Sequence, residues 1–290
     1  MSWEARDLVF HHPGAERPTL DSLSLNVPAS GMTALLGPNG AGKSTLLHVL
    51  LGTLRPVSGE VSYRGRPMRA WTRRAIAREV GVVAQSEEAT FPMTARELVD
   101  MGRYAHAGPW DTESAADQSI VDDALARCDV AHLADRAMHT LSGGERQRVR
   151  LARALAQIAP LGGPRALALD EPTAALDVRH EMAIFELLRA LSRAQVSVLL
   201  VTHHVNLAAR YADQLVLLHQ GRVVAAGPPA TVLTRETVER VYGWPVDIIP
   251  HPGPGPDRGA PQVVPLAGAP SSHPGPPGTY VPLTSRAAAG

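Results

Sequence analysis

Cysteine is nearly missing from this sequence: Cys128 is the single thiol in 290 residues. An internal disulfide framework and a cysteine-rich metal site are excluded with it. Lysine is nearly missing too. Lys and Arg together number 28, and all but Lys43 are Arg. Either this one lysine sits where a guanidinium cannot substitute, or a compositional bias spared one codon. Net charge is also absent, because 28 basic residues face 28 acidic ones. That balance argues against broad electrostatic binding of nucleic acid. No window approaches 18 uninterrupted apolar residues, so no membrane-spanning helix is expected. The first residues, Met1-Ser2-Trp3-Glu4-Ala5-Arg6-Asp7, are charged and lack the apolar stretch of a signal peptide. A cytosolic protein is the expectation.

What is present divides the chain near residue 250. Residues 250–290 hold 11 Pro and 7 Gly in 41 positions and almost no periodic apolar pattern. Such a segment buries too little surface to offset its ordering entropy, so a disordered tail with polyproline character is expected. Residues 1–249 alternate short apolar runs with helical patterns, the mark of an α/β fold. Strands are expected at Leu23–Val27, Met32–Leu36, Glu79–Ala84, Ala166–Leu169 and Val196–Val201. A hairpin is expected at Gln214–Leu218 and Arg222–Ala226 around His219-Gln220-Gly221. The stretch from about 86 to 160 reads as a helical insertion between two parts of the sheet. Cys128, in an apolar helical context, reads as a buried bystander.

Met32–Leu36 runs directly into Gly37-Pro38-Asn39-Gly40-Ala41-Gly42-Lys43-Ser44-Thr45, followed by Leu46-Leu47-His48-Val49-Leu50. Strand, glycine-rich loop and helix in this order fit the phosphate-loop pattern G-x-x-x-x-G-K-[ST]. Glycines let the backbone turn tightly so that its N–H groups point inward at phosphate oxygens. The following helix adds its positive N-terminal end. Lys43 is placed to reach the β- and γ-phosphates as a compact charge, and Ser44 to offer a hydroxyl to Mg²⁺. A glycine turn without a ligand would not need the flanking strand and helix. Leu167-Ala168-Leu169-Asp170-Glu171 is a second site, an apolar strand ending in two acids. Adjacent carboxylates there are unfavourable unless a cation or a proton transfer uses them. Asp170 is expected to hold Mg²⁺, and Glu171 to orient or deprotonate the attacking water.

Between these two sites stands Leu141-Ser142-Gly143-Gly144-Glu145-Arg146-Gln147, which resembles the signature of ABC-type ATPases. Other elements follow in the family's order. Gln85 ends a strand, like the family's Q-loop glutamine. Ala174-Ala175-Leu176-Asp177 is similar to its D-loop, and Thr202-His203 to its switch histidine. The resemblance covers residues 3–245 and implies a P-loop NTPase of ABC type, with a mixed sheet core and a helical subdomain. It implies a homodimer with ATP and Mg²⁺ held between Lys43 of one copy and Ser142, Gly143 and Gly144 of the other. His203 would contact the γ-phosphate beside Glu171, and Gln85 would sense Mg²⁺ and the nucleotide. Two positions depart from the family. The aromatic ring that stacks on adenine has no obvious counterpart; Phe10, His11 and His12 are candidates, and loop spacing favours His12. His204 stands where the family often has Asp. The pairs His11-His12 and His203-His204 invite a metal reading, but adjacent residues in a strand point to opposite faces.

One set of motifs without a membrane segment resembles the separate ATPase subunit of an importer. The resemblance implies two transmembrane permease subunits, a periplasmic or extracellular substrate-binding protein, and a peripheral position on the cytoplasmic face of the membrane. Thr94–Tyr104 is similar to the permease-contacting stretch of importers for iron chelates, haem and cobalamin, and Val241–Val246 resembles the end of their core. The Pro/Gly-containing insert Gln157–Arg165 is similar to one in haem-importing members. Haem is therefore the expected cargo, with iron-siderophore or cobalamin import as the alternative. A soluble ABC clamp acting on DNA or the ribosome would usually carry coiled-coil insertions or two cassettes. Neither is present, and no nucleic-acid partner is expected.

Overall fold

A computed structural model describes residues 1–85, 92–108, 114–160, 165–174, 176–254 and 257–268. The central sheet has six strands in the order β10-β9-β3-β8-β7-β6. These are β3 (Gly31–Leu36), β6 (Val80–Val83), β7 (Arg165–Asp170), β8 (Val196–Val201), β9 (Gln214–His219) and β10 (Arg222–Gly227). All pairings are parallel except β9–β10, so the sheet is mixed. A second, antiparallel sheet runs β2-β1-β4-β5. Its strands are β1 (Trp3–Phe10), β2 (Leu20–Val27), β4 (Ser58–Tyr63) and β5 (Arg66–Pro67).

Strands buried on both faces alternate between two cores. In β8, Val198 and Leu200 face one cluster while Leu199 and Val201 face the other. In β7, Leu167 and Leu169 face the first, and the small Ala166 and Ala168 face the second. That second core lies between the two sheets and takes in α1 (Lys43–Leu50) through Leu46, Leu47, Val49 and Leu50. The other face is covered by α5 (Gly143–Ile158) and α6 (Val178–Arg193), with α7 (Val205–Tyr211) beside them.

Between β6 and β7 the described elements are helical. This stretch is built from α3 (Ala95–Asp100), α4 (Ala115–Arg127) and α5, which share one apolar core with Leu98, Val99, Val121, Leu125, Val149 and Ala152. Residues 86–91 and 109–113 of the expected insertion lie outside the described residues, as do 161–164 of the Pro/Gly insert. Helix starts follow the capping rules. Thr72 caps α2 (Arg73–Glu79), Ser114 caps α4 and Asp177 caps α6, while Thr94 and Ser142 form full capping boxes with Glu97 and Glu145. Cys128 caps the end of α4, and burial pushes its thiol up to about 12.

The sequence misses several elements for physical reasons. In β1 the register shifts between Arg6 and Val9, and Asp7 has φ 48, so the alternation of apolar residues is interrupted by a bulge. In β4 only Val61 and Tyr63 are buried, too short a pattern to stand out. The larger correction concerns the tail. After α8 (Pro229–Val232) and α9 (Arg235–Tyr242), β11 (Val246–Pro250) pairs antiparallel with β12 (Pro261–Pro265). Regular structure therefore extends past residue 250, through a hairpin whose buried anchor is Val246. Residues 269–290 lie outside the described residues.

Candidate active site

The site forms where β3, β7 and β8 end side by side. At the end of β3, Gly37 turns with φ 146, and a Cβ there would run into the carbonyl oxygen of Leu218. Gly42 caps α1 in a left-handed conformation, φ 98, where a Cβ would lie 2.8 Å from the carbonyl oxygen of Thr19. Only glycine fits both positions, and the loop between them closes around Lys43. The buried Lys43 ammonium donates to the carbonyl oxygens of Gly37 at 2.8 Å and Pro38 at 3.0 Å. Burial lowers its proton affinity, and Glu171 and Asp170 partly restore it.

Asp170 ends β7 and is 3% exposed. Burial raises its pKa, the charge of Glu171 adds to this, and a hydrogen bond from Ser44 opposes it. Its Oδ1 is buried without a hydrogen-bond partner. An unpartnered buried carboxylate oxygen, with the Ser44 hydroxyl beside the same carboxylate, fits a divalent cation with oxygen ligands. Glu171 follows with φ 48, uncommon for a residue with a side chain and characteristic of strained functional positions. Its amide donates to the carbonyl of Val201 at 2.9 Å, which fixes the turn against β8. Two residues from other strand ends meet its carboxylate. Gln85 donates to Oε2 at 3.2 Å, and His203 Nδ1 lies 3.7 Å from Oε1.

His203 and His204 correct one expectation. Strand β8 ends at Val201, so the pair does not alternate across a sheet. Both rings sit on one side, with centroids 4.0 Å apart. His204 Nε2 lies 3.2 Å from Oε1 of Glu181 on α6. Burial lowers the His204 pKa and His203 adds to this, while Glu181 opposes it. Glu181 escapes sequence reasoning because nothing local links it to His204.

The remaining candidates fall into place at different distances. His11 and His12 lie just beyond β1. His12 is exposed, its Nε2 is 3.1 Å from the hydroxyl of Thr45, and its ring meets Phe10 edge-on at 5.0 Å. Phe10 itself is core. Asn39 and Gly40 are exposed on the loop, and Ala41 is buried beneath it. Ser142, Gly143 and Gly144 open α5, with Ser142 occupied by its own capping box. Among the described residues, no hydrogen bond of Ser142 reaches the phosphate loop of the same chain. Ala175 of the D-loop lies outside the described residues, and Asp177 caps α6.

A phosphate loop at the end of β3, an acid pair at the end of β7 and a helical insertion on the same sheet define a P-loop nucleotide-binding cassette. The chain belongs to the ABC transporter family, whose sequence profile matches residues 20–174, and it is an ATP-binding ATPase of that family. A relative from Nocardia farcinica, named hemin import ATP-binding protein HmuV, is 45% identical over 257 residues, 87% of this chain and 86% of the relative. One of the same name from Escherichia coli O157:H7 is 41% identical, covering 86% of this chain and 94% of the relative. Among solved structures, a metal-chelate type ABC transporter in an inward-facing conformation is 27% identical with TM-score 0.75, covering 91% of this chain and 97% of that one. A dimeric cassette in a post-hydrolysis state bound to ADP and Pi is 26% identical with TM-score 0.67, covering 78% of this chain and 98% of that one. Among the described residues, no helix is long and apolar enough to cross a membrane.

Proposed function

We propose that this chain is the ATP-hydrolysing subunit that powers haem import across the cytoplasmic membrane through a separate permease. The observation that carries this reading is identity above 40%, over most of both chains, to relatives named for hemin import. Two copies pair head to tail, dock on two permease subunits at the cytoplasmic face of the membrane, and receive cargo from a substrate-binding protein outside it. Haem does not touch this chain.

In this reading the backbone N–H groups of Gly37 and of Asn39 to Thr45 and the Lys43 ammonium cradle the triphosphate, and His12 stacks on adenine. Ser44, Asp170 and Gln85 would hold Mg²⁺, which would supply positive charge to the phosphate oxygens. Glu171 accepts a proton from the attacking water, and its contacts with Gln85 and His203 support that role because they aim the carboxylate. His203 reaches the γ-phosphate. Ser142, Gly143 and Gly144 of the second copy close the site with the N-terminal end of α5, which suits an anion.

Cargo is tested by deleting this chain in its own host. Growth on haem as sole iron source is expected to fail and to return with the wild-type chain but not with Lys43→Ala. Growth on ferric siderophore and cobalamin-dependent growth are expected to continue. Normal growth on haem, with loss of either other capacity, would assign the subunit to that other cargo.

A further inference from the structure

The C-terminal hairpin is fastened to the helix that follows His203. Asn206 lies in the first turn of α7, three positions after that histidine. Its amide nitrogen donates to the carbonyl of Val263 at 3.2 Å, and its amide oxygen accepts from the Val263 N–H at 2.8 Å. One side chain thus pairs both backbone groups of a β12 residue, as a neighbouring strand would. A second fastening comes from the hairpin loop. Asp257 lies 2.6 Å from Arg210 of α7 and 3.9 Å from Arg189 of α6. Those two guanidiniums flank the ring of Tyr211 at 5.5 and 5.6 Å, and Arg189 also donates to the Arg210 carbonyl at 3.1 Å. Asp257 is the carboxylate that offsets these two like charges where all three groups are largely buried.

The position of α7 carries through to the catalytic cluster. The His204 carbonyl accepts the first helical hydrogen bond of α7 from Ala208 at 2.9 Å, and the His203 carbonyl accepts from Val205 at 3.0 Å. The His204 ring stacks on His203 and reaches Glu181 on α6. The α6–α7 pair is therefore tied at one end by Glu181 and His204, and at the other by Asp257. The hairpin anchors in the core through Val246, 3% exposed, while Ile248 and Val263 are only partly buried against it. Its ties to α6 and α7 beyond that anchor are specific and polar, which suits positioning.

We infer that the β11–β12 hairpin is a clamp that holds α7, and through it His203, against Glu171, with Asn206 and Asp257 as positioning residues. The clamp rests on the reading of His203 as the γ-phosphate contact. ATP turnover, KM and nucleotide affinity of the purified chain test it. Ending the chain after Gly268 is expected to leave turnover unchanged. Ending it after Pro250, or introducing Asn206→Ala or Asp257→Asn, is expected to lower kcat on the order of ten- to a hundredfold with KM and nucleotide affinity unchanged. In a His203→Ala background the same changes are expected to add nothing, because their effect passes through that side chain. Parent turnover in Asn206→Ala and Asp257→Asn overturns the clamp, and so does an equal further loss in the His203→Ala background. A His203→Ala chain that turns over at the parent rate overturns the reading beneath it, and the clamp with it.

Discussion

Glu171→Gln is expected to bind ATP, to hydrolyse it at about a hundredth of the parent rate or less, and to accumulate as an ATP-bound dimer. The substitution keeps the shape of the side chain. An amide oxygen at the same position still accepts from Gln85, whose nitrogen lies 3.2 Å away. The backbone turn at φ 48 is held by the hydrogen bond to Val201 and does not depend on the side chain. What is lost is the negative charge and the ability to take a proton. Glu171 also supports the charge on Lys43, but bound triphosphate supplies a stronger anion in the same place. Turnover and gel filtration with ATP check this. Parent-rate hydrolysis, or a variant that stays monomeric with ATP, would remove Glu171 from the role of base.

Lys43→Arg is expected to lose turnover by about a hundredfold or more and to weaken ATP binding, without a large fall in unfolding temperature. The ammonium is a compact head on a flexible stem, and here it passes between the carbonyls of Gly37 and Pro38 with 7% of its surface exposed. A guanidinium is planar and wider, with donors in a fixed fork. The loop cannot retreat to admit it. Gly37 already lies against Leu218, and Gly42 against Thr19. The solitary lysine in a chain that otherwise uses Arg thus acquires a physical account. Near-normal turnover in Lys43→Arg would return it to compositional accident.

Much of the site is legible in the sequence because its parts are local. The phosphate loop is continuous with the strand before it and the helix after it. The strands β3, β7 and β8 are parallel and buried on both faces, so they read as unbroken apolar runs. What the sequence conceals is long-range or irregular. The β1 bulge at Asp7 breaks the alternation that would mark a strand. Glu181 meets His204 only after α6 and α7 pack together. The hairpin of β11 and β12 is short and flanked by prolines, and besides the buried Val246 it is held by Asn206, Arg210 and Arg189, far away in sequence. The expected opposition of His203 and His204 fails because the strand stops at Val201, two residues before the pair.

The claim at the centre of the account is that one ATP is held by two copies of the chain, and mixing two inactive variants tests it most directly. Lys43→Ala removes the phosphate-loop charge. Gly143→Asp places a carboxylate at the first turn of α5, which the helix tolerates but a facing triphosphate does not. Each alone is expected to be inactive. In a mixed dimer, one site gathers both defects and the other is intact, so ATPase activity is predicted to reappear on mixing. A mixture no more active than the sum of its parts would contradict a site shared between copies.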